Sequence, residues 1–125
     1  MANVLVIEDN SANFTLAAFL LEKMGHTVVR AFDGESGVAQ ARVIVPDLIL
    51  MDIQLPGMDG CKATAILKGD SLTSSIPVVA LTVLDDYERI KVAGCDGYIE
   101  KPLRYQTFCE VVQRVLGKSG VMLAY

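Results

Sequence analysis

Val4-Leu5-Val6-Ile7-Glu8-Asp9 and Leu48-Ile49-Leu50-Met51-Asp52 are two short apolar runs that each end in carboxylates. Short β-rich apolar stretches bounded by polar residues read as strands of a sheet covered on both faces. Acidic groups at the carboxyl ends of two such strands lie together at one edge of a parallel sheet. Open α/β sheets bind their ligands at that edge. Lys101-Pro102, near the other end of the chain, follows a third strand-like segment.

Working outward, β and α patterns alternate. Ser11 to Met24 carries Phe14, Ala17, Ala18, Leu20 and Leu21 at helical spacing, with Gly25 as the stop. Thr27–Arg30 reads as a strand, and Asp33 caps a helix through Val38 and Ala41. Pro46 precedes the Asp47–Met51 strand. Gln54-Leu55-Pro56-Gly57 is a turn with Pro before Gly, as a type II turn requires. Asp59 caps a helix through Ala63, Ile66 and Leu67. Pro77–Leu81 is a fourth strand ending at Thr82, Asp85–Ala93 a short helix stopped by Gly94, and Gly97–Ile99 a fifth strand. Tyr105–Leu116 is the last helix, with Phe108, Val111, Val112 and Val115 on its inner face. The pattern predicts an α/β fold of the (βα)5 kind, a doubly wound sheet of five parallel strands, because right-handed crossovers cover both faces.

The 125 residues suffice for one core. Residues 1–117 form the expected domain, and 118–125 an apolar C-terminal tail that packs back, meets a partner or stays disordered. The hydrophobic fraction of 52% excludes a disordered chain, and the net charge of −4 argues against a direct nucleic-acid partner. Cys61, Cys95 and Cys109 are well separated with no CxxC spacing, which fits a reduced cytoplasmic protein. No signal peptide or membrane span is expected. His26 follows Gly25 in a turn and is assigned no catalytic role.

Glu8, Asp9 and Asp52 converge in this scheme. At roughly 5 Å and an effective dielectric of about 20, each like-charge pair costs on the order of 3 kcal/mol. The group therefore needs a divalent cation, a cationic side chain or a shared proton. All-oxygen ligands with few protein donors favour Mg²⁺. Lys101 supplies a fixed positive charge and Thr82 a hydroxyl at the same edge. A carboxylate nucleophile toward phosphorus, with a metal, an ammonium and a hydroxyl to neutralise the equatorial oxygens, makes a phosphoryl-transfer site. Asp52, between the other strand ends, is the nucleophile candidate, and Glu8 and Asp9 are the metal holders. Taken singly each has a structural role available: Asp9 or Asn10 as a helix cap, Lys101 as a solvated lysine.

The stretches Val4–Asn10, Asp47–Gly60, Pro77–Thr82, Ala93–Tyr98 and Lys101-Pro102-Leu103 together resemble the receiver domain of two-component response regulators, along essentially the whole chain. The similarity is greatest to stand-alone receivers of the cell-cycle regulator type. It implies a flavodoxin-like sheet of order 2-1-3-4-5 and Asp52 as phosphoacceptor from a histidine kinase or histidine phosphotransfer protein. It implies Mg²⁺ held by Asp9, by Glu8 through water, by Asp52 and by the backbone carbonyl of Gln54. Thr82 matches the switch hydroxyl, Lys101 the phosphoryl-pairing lysine before a cis-proline at Pro102, and Tyr98 the aromatic that turns inward on activation. Output then passes to a downstream protein target, or the phosphoryl group moves on in a relay, and no enzymatic turnover is expected.

Two departures stand out. Thr82 to Tyr98 spans 16 positions, fewer than in comparable receivers, so the fourth helix is expected to be short or displaced. Val83 stands where the family has a smaller residue and is expected to restrict access to the site. Two other readings remain: a HAD-like aspartyl-nucleophile phosphatase, for which Asp52-Ile53-Gln54 lacks the second aspartate, and a flavodoxin-like cofactor binder, for which Glu8-Asp9-Asn10 would repel a phosphate.

Overall fold

The computed structural model describes residues 1–83 and 86–118. Leu84, Asp85 and residues 119–125 lie outside that description, and with them the expected start of the fourth helix and nearly all of the C-terminal tail. Strands β1 (Asn3–Ile7), β2 (Thr27–Ala31), β3 (Leu48–Asp52), β4 (Val78–Thr82) and β5 (Gly97–Glu100) alternate with helices α1 (Ser11–Lys23), α2 (Gly34–Ile44), α3 (Gly60–Gly69), α4 (Tyr87–Ala93) and α5 (Tyr105–Lys118). All pairings are parallel, in the order β2-β1-β3-β4-β5.

β3 and β4 are buried along their full length. Their continuous apolar sequence follows from cover on both faces rather than one. Val4, Val6, Leu50, Val79 and Leu81 point toward a core completed by Leu21 of α1 and by Phe108, Val112 and Leu116 of α5. Leu5, Ile7, Ile49, Met51 and Val78 point the other way, against Ala41, Ala63 and Leu67 of α2 and α3. A third, smaller cluster joins Ala80 and Ile53 to Cys61 and Ile90, seating α4. Period-two alternation along each strand thus feeds two layers.

The helix starts follow their caps. Asn10 accepts from the Asn13 N–H at 2.9 Å, Asp33 from the Ser36 N–H at 2.7 Å in a reciprocal capping box, and Asp59 from the Lys62 N–H at 2.9 Å. Within the described residues α4 runs from Tyr87 to Ala93, the end expected from Gly94. Its N-cap Asp86 sits at φ −97°, ψ 36° and makes no side-chain cap bond. Asp86 instead pairs with Arg89 at 3.4 Å, and Arg89 reaches Asp59 at 3.1 Å, tying the short helix to the start of α3. His26 is buried, and its Nδ1 accepts from the Ala2 N–H at 3.1 Å, a structural pin.

Two backbone positions are demanding. A Cβ on Gly60 would lie 2.2 Å from the Asp52 carbonyl oxygen, so only glycine lets α3 start against the end of β3. Val45, the C-cap of α2, adopts φ 43°, ψ 69°, a left-handed conformation that a β-branched side chain enters at a cost. Val45→Asn is therefore expected to stabilise the fold by about 1 kcal/mol. Thermal unfolding should show a midpoint about 4 °C higher; an unchanged or lower midpoint would contradict the strain at this cap.

Candidate functional site

The carboxyl ends of β1, β3, β4 and β5 meet along one rim, because register aligns them: Ile7 with Met51, Asp52 with Leu81, and Thr82 with Glu100. β1 delivers Glu8 and Asp9, β3 ends on Asp52, β4 ends on Thr82, and Lys101 follows β5 directly. Carboxylate oxygens of Glu8, Asp9 and Asp52 lie within 4.8 Å of one another. Glu8 and Asp52 are buried at 0% and 4% exposure, whereas Asp9 faces solvent.

Lys101 holds the group together. Its Nζ lies 3.0 Å from Glu8 Oε1 and 3.2 Å from Asp52 Oδ1. The Gln54 N–H donates to the same Asp52 oxygen at 3.0 Å, and the Asn10 N–H donates to Glu8 Oε2 at 3.3 Å. The Lys101 N–H donates to the Thr82 carbonyl at 2.8 Å, which fixes the lysine's backbone beside β4. The Lys101–Pro102 peptide is cis. Three carboxylates against one ammonium leave a formal charge of about −2 when all are ionised. Burial pushes the Glu8 carboxyl up to about 7; its hydrogen bond and repulsion with Asp52 add to the rise, and Lys101 opposes it.

This donor set suits Mg²⁺: oxygen ligands only, one solvent-facing carboxylate that leaves room for water, and an excess negative charge matching the ion. Asn10, not Asp9, takes the cap of α1, which leaves the Asp9 carboxylate for the rim. Thr82 is buried at the rim. Val83, next to it, is 56% exposed. Tyr98 is half-exposed on β5, its ring centroid 4.5 Å from that of Tyr87 on α4, and the Tyr87 hydroxyl donates to Glu100 at 2.7 Å. Tyr98, Pro102 and Arg114 help to line a pocket of about 540 Å³ between β5 and α5.

Two contributors escaped sequence reasoning. Gly60 could have been inferred only from how closely α3 approaches Asp52. Arg30, at the edge of the sheet, donates to the backbone carbonyls of Glu8 and Asp9 at 3.1–3.2 Å. A lone arginine in a half-exposed strand carries no local signal for that contact.

The family model for the response regulator receiver domain matches residues 4–113. The polar-differentiation response regulator DivK of Brucella anthropi is 41% identical over 120 residues, covering 94% of this chain and 98% of that protein. A putative response regulator from Chloroflexus aurantiacus superposes with a TM-score of 0.89 at 27% identity, covering 93% of this chain and 98% of the other. The receiver domain of the sensor histidine kinase PA1611 from Pseudomonas aeruginosa, whose structure has a magnesium ion coordinated in the active-site cleft, superposes at 0.86 with 32% identity, covering 93% and 98%.

The raised Glu8 value couples the site to folding. A folded-state value near 7 against an unfolded one near 4.5 means that folding takes up a proton between them. The associated stability is full below about pH 4.5 and is lost as pH rises to about 7. At pH 8 without divalent cations, Glu8→Gln should be more stable than wild type by on the order of 1–3 kcal/mol. The two should converge near pH 4. Denaturant titrations across this range check it, and a wild type whose stability is flat from pH 5 to 8 would contradict it.

Proposed function

Because the chain belongs to the response regulator receiver family, we propose that Asp52 accepts a phosphoryl group from the phosphohistidine of a sensor kinase or phosphotransfer protein. Residues 1–117 make up the receiver in this reading. The arrangement that carries it is the Lys101 ammonium lodged between Glu8 and Asp52, at 3.0 and 3.2 Å, on the ligand-binding rim of a parallel sheet.

An Asp52 carboxylate oxygen attacks phosphorus as the P–N bond to the donor imidazole breaks. The imidazole leaves with the bond's electron pair and takes a proton, and an acyl phosphate forms. Asp9, Asp52 and the backbone carbonyl of Gln54 would hold Mg²⁺, with Glu8 acting through water. When bound, the ion offsets negative charge on the phosphoryl oxygens. Gln54 and Lys101 keep the Asp52 carboxylate oriented. Once phosphorylated, Asp52 no longer offers Lys101 the same oxygen, and the ammonium pairs with a phosphoryl oxygen instead.

The added group brings about −1.5 to −2 charges and strong acceptors to the rim. Thr82, buried at the end of β4, donates its hydroxyl to a phosphoryl oxygen. Its displacement opens space for Tyr98, which leaves its stack on Tyr87 and turns inward. α4, β5 and α5 then present a changed face to a downstream protein, or the phosphoryl group passes to a second histidine in a relay. Modification shifts this equilibrium only by its different affinity for the two arrangements. The free, unbridged state of Cys61, Cys95 and Cys109 agrees with work in the cytoplasm, and no described helix is long and apolar enough to cross a membrane. Val83, next in sequence to Thr82 and branched at Cβ, acts as a partial screen against hydrolytic water.

Incubation with acetyl phosphate and Mg²⁺ should add one phosphoryl group to wild type, seen by intact mass, and none to Asp52→Ala. Equal labelling of both would overturn Asp52 as acceptor. Val83→Ala should lose its phosphoryl group faster than wild type; equal half-lives would remove Val83 from the account.

A further inference from the structure

We propose that Arg30 is a positioning residue for the cation site, acting through the backbone of Glu8 and Asp9; the inference rests on the reading that those carboxylates hold Mg²⁺. Arg30 lies on β2, paired in register with Val6, and its side chain crosses to the loop between β1 and α1. Nε and Nη2 donate to the Glu8 carbonyl at 3.2 and 3.1 Å, and Nη2 donates to the Asp9 carbonyl at 3.2 Å. The guanidinium is flanked by two rings, Phe14 of α1 at 4.5 Å and Phe32 after β2 at 4.1 Å. Gln40 of α2 donates to the Arg30 carbonyl at 3.2 Å and secures its backbone. The β1–α1 loop, Phe14 of α1 and Phe32 thus converge on one side chain, whose backbone α2 secures.

Charge cannot be what this arginine contributes. Among the described residues Arg30 forms no ion pair, and its donors go to carbonyls. A guanidinium beside a site for a divalent cation repels that cation, so on charge alone its removal would tighten binding. Its value lies in geometry. The planar fork grips two consecutive peptides, and the flanking rings fix the plane of the fork. Asp9 is the solvent-facing ligand and the least restrained by its surroundings, so the direction of its carboxylate depends on the peptide that Arg30 holds. Groups that orient ligands in this way commonly alter metal affinity by an order of magnitude or more.

Arg30→Lys separates the two effects, because it keeps the charge and removes the fork. Mg²⁺ titration of the full chain, followed by amide NMR, should show Kd weakened about tenfold in Arg30→Lys, with the largest shift differences at Asp9 and Asn10. Phe32→Leu, which alters an exposed ring and leaves the core intact, should weaken Kd roughly twofold. A merely structural role would lower the urea midpoint of both variants and leave the Kd of the folded protein unchanged. Unchanged or tighter Mg²⁺ binding in both variants, alongside a responsive wild type, overturns the role of Arg30 alone. A wild type that does not respond to Mg²⁺ overturns the cation site and this inference together.

Discussion

The Lys101 ammonium between two buried carboxylates is the constraint on which the rest of the rim depends. Without it, Glu8 and Asp52 would face one another under the protein's own low dielectric, where like charges at about 5 Å cost several kcal/mol. With it, each acid has a partner, yet the set keeps an excess of negative charge. That excess suits a divalent ion and keeps the aspartate from being satisfied by protein contacts alone. A site whose charges balanced internally would be stable and inert. Here the imbalance is held in place by five strands in fixed register.

Much of this was legible in the chain because it depends on local pattern. Leu48–Met51 is uniformly apolar because β3 is central, and Asp52 follows it because the strand ends at the rim. The helix caps at Asn10, Asp33 and Asp59 also follow from short-range chemistry. The expected start of the fourth helix, Asp85, lies outside the described residues, and α4 is described from Tyr87 to Ala93. What stayed hidden are contacts between residues far apart in sequence and lacking a pattern of their own. Arg30 reaching across to the Glu8 and Asp9 carbonyls is one. The Tyr87–Tyr98 stack, closed by Glu100, is another.

The short interval between β4 and β5 concentrates those hidden contacts. α4 has seven residues and is held from two directions, by Arg89 to the Asp59 cap and by Tyr87 to Glu100. Both anchors are at exposed side chains, where such pairs contribute little stability individually. Beneath them α4 is seated through Ile90 in the small third cluster, while α1 and α5 are set into the main core through Leu21, Phe108 and Leu116. Differences in attachment of this kind determine which elements can shift without unfolding the domain.

Gly60 sets a steric limit at the rim. With α3 pressed onto the carbonyl of Asp52, that flank of the aspartate is walled by backbone at contact distance and has no room for even one added carbon. How near a helix can stand to the reactive strand end is thus set by a missing methyl group.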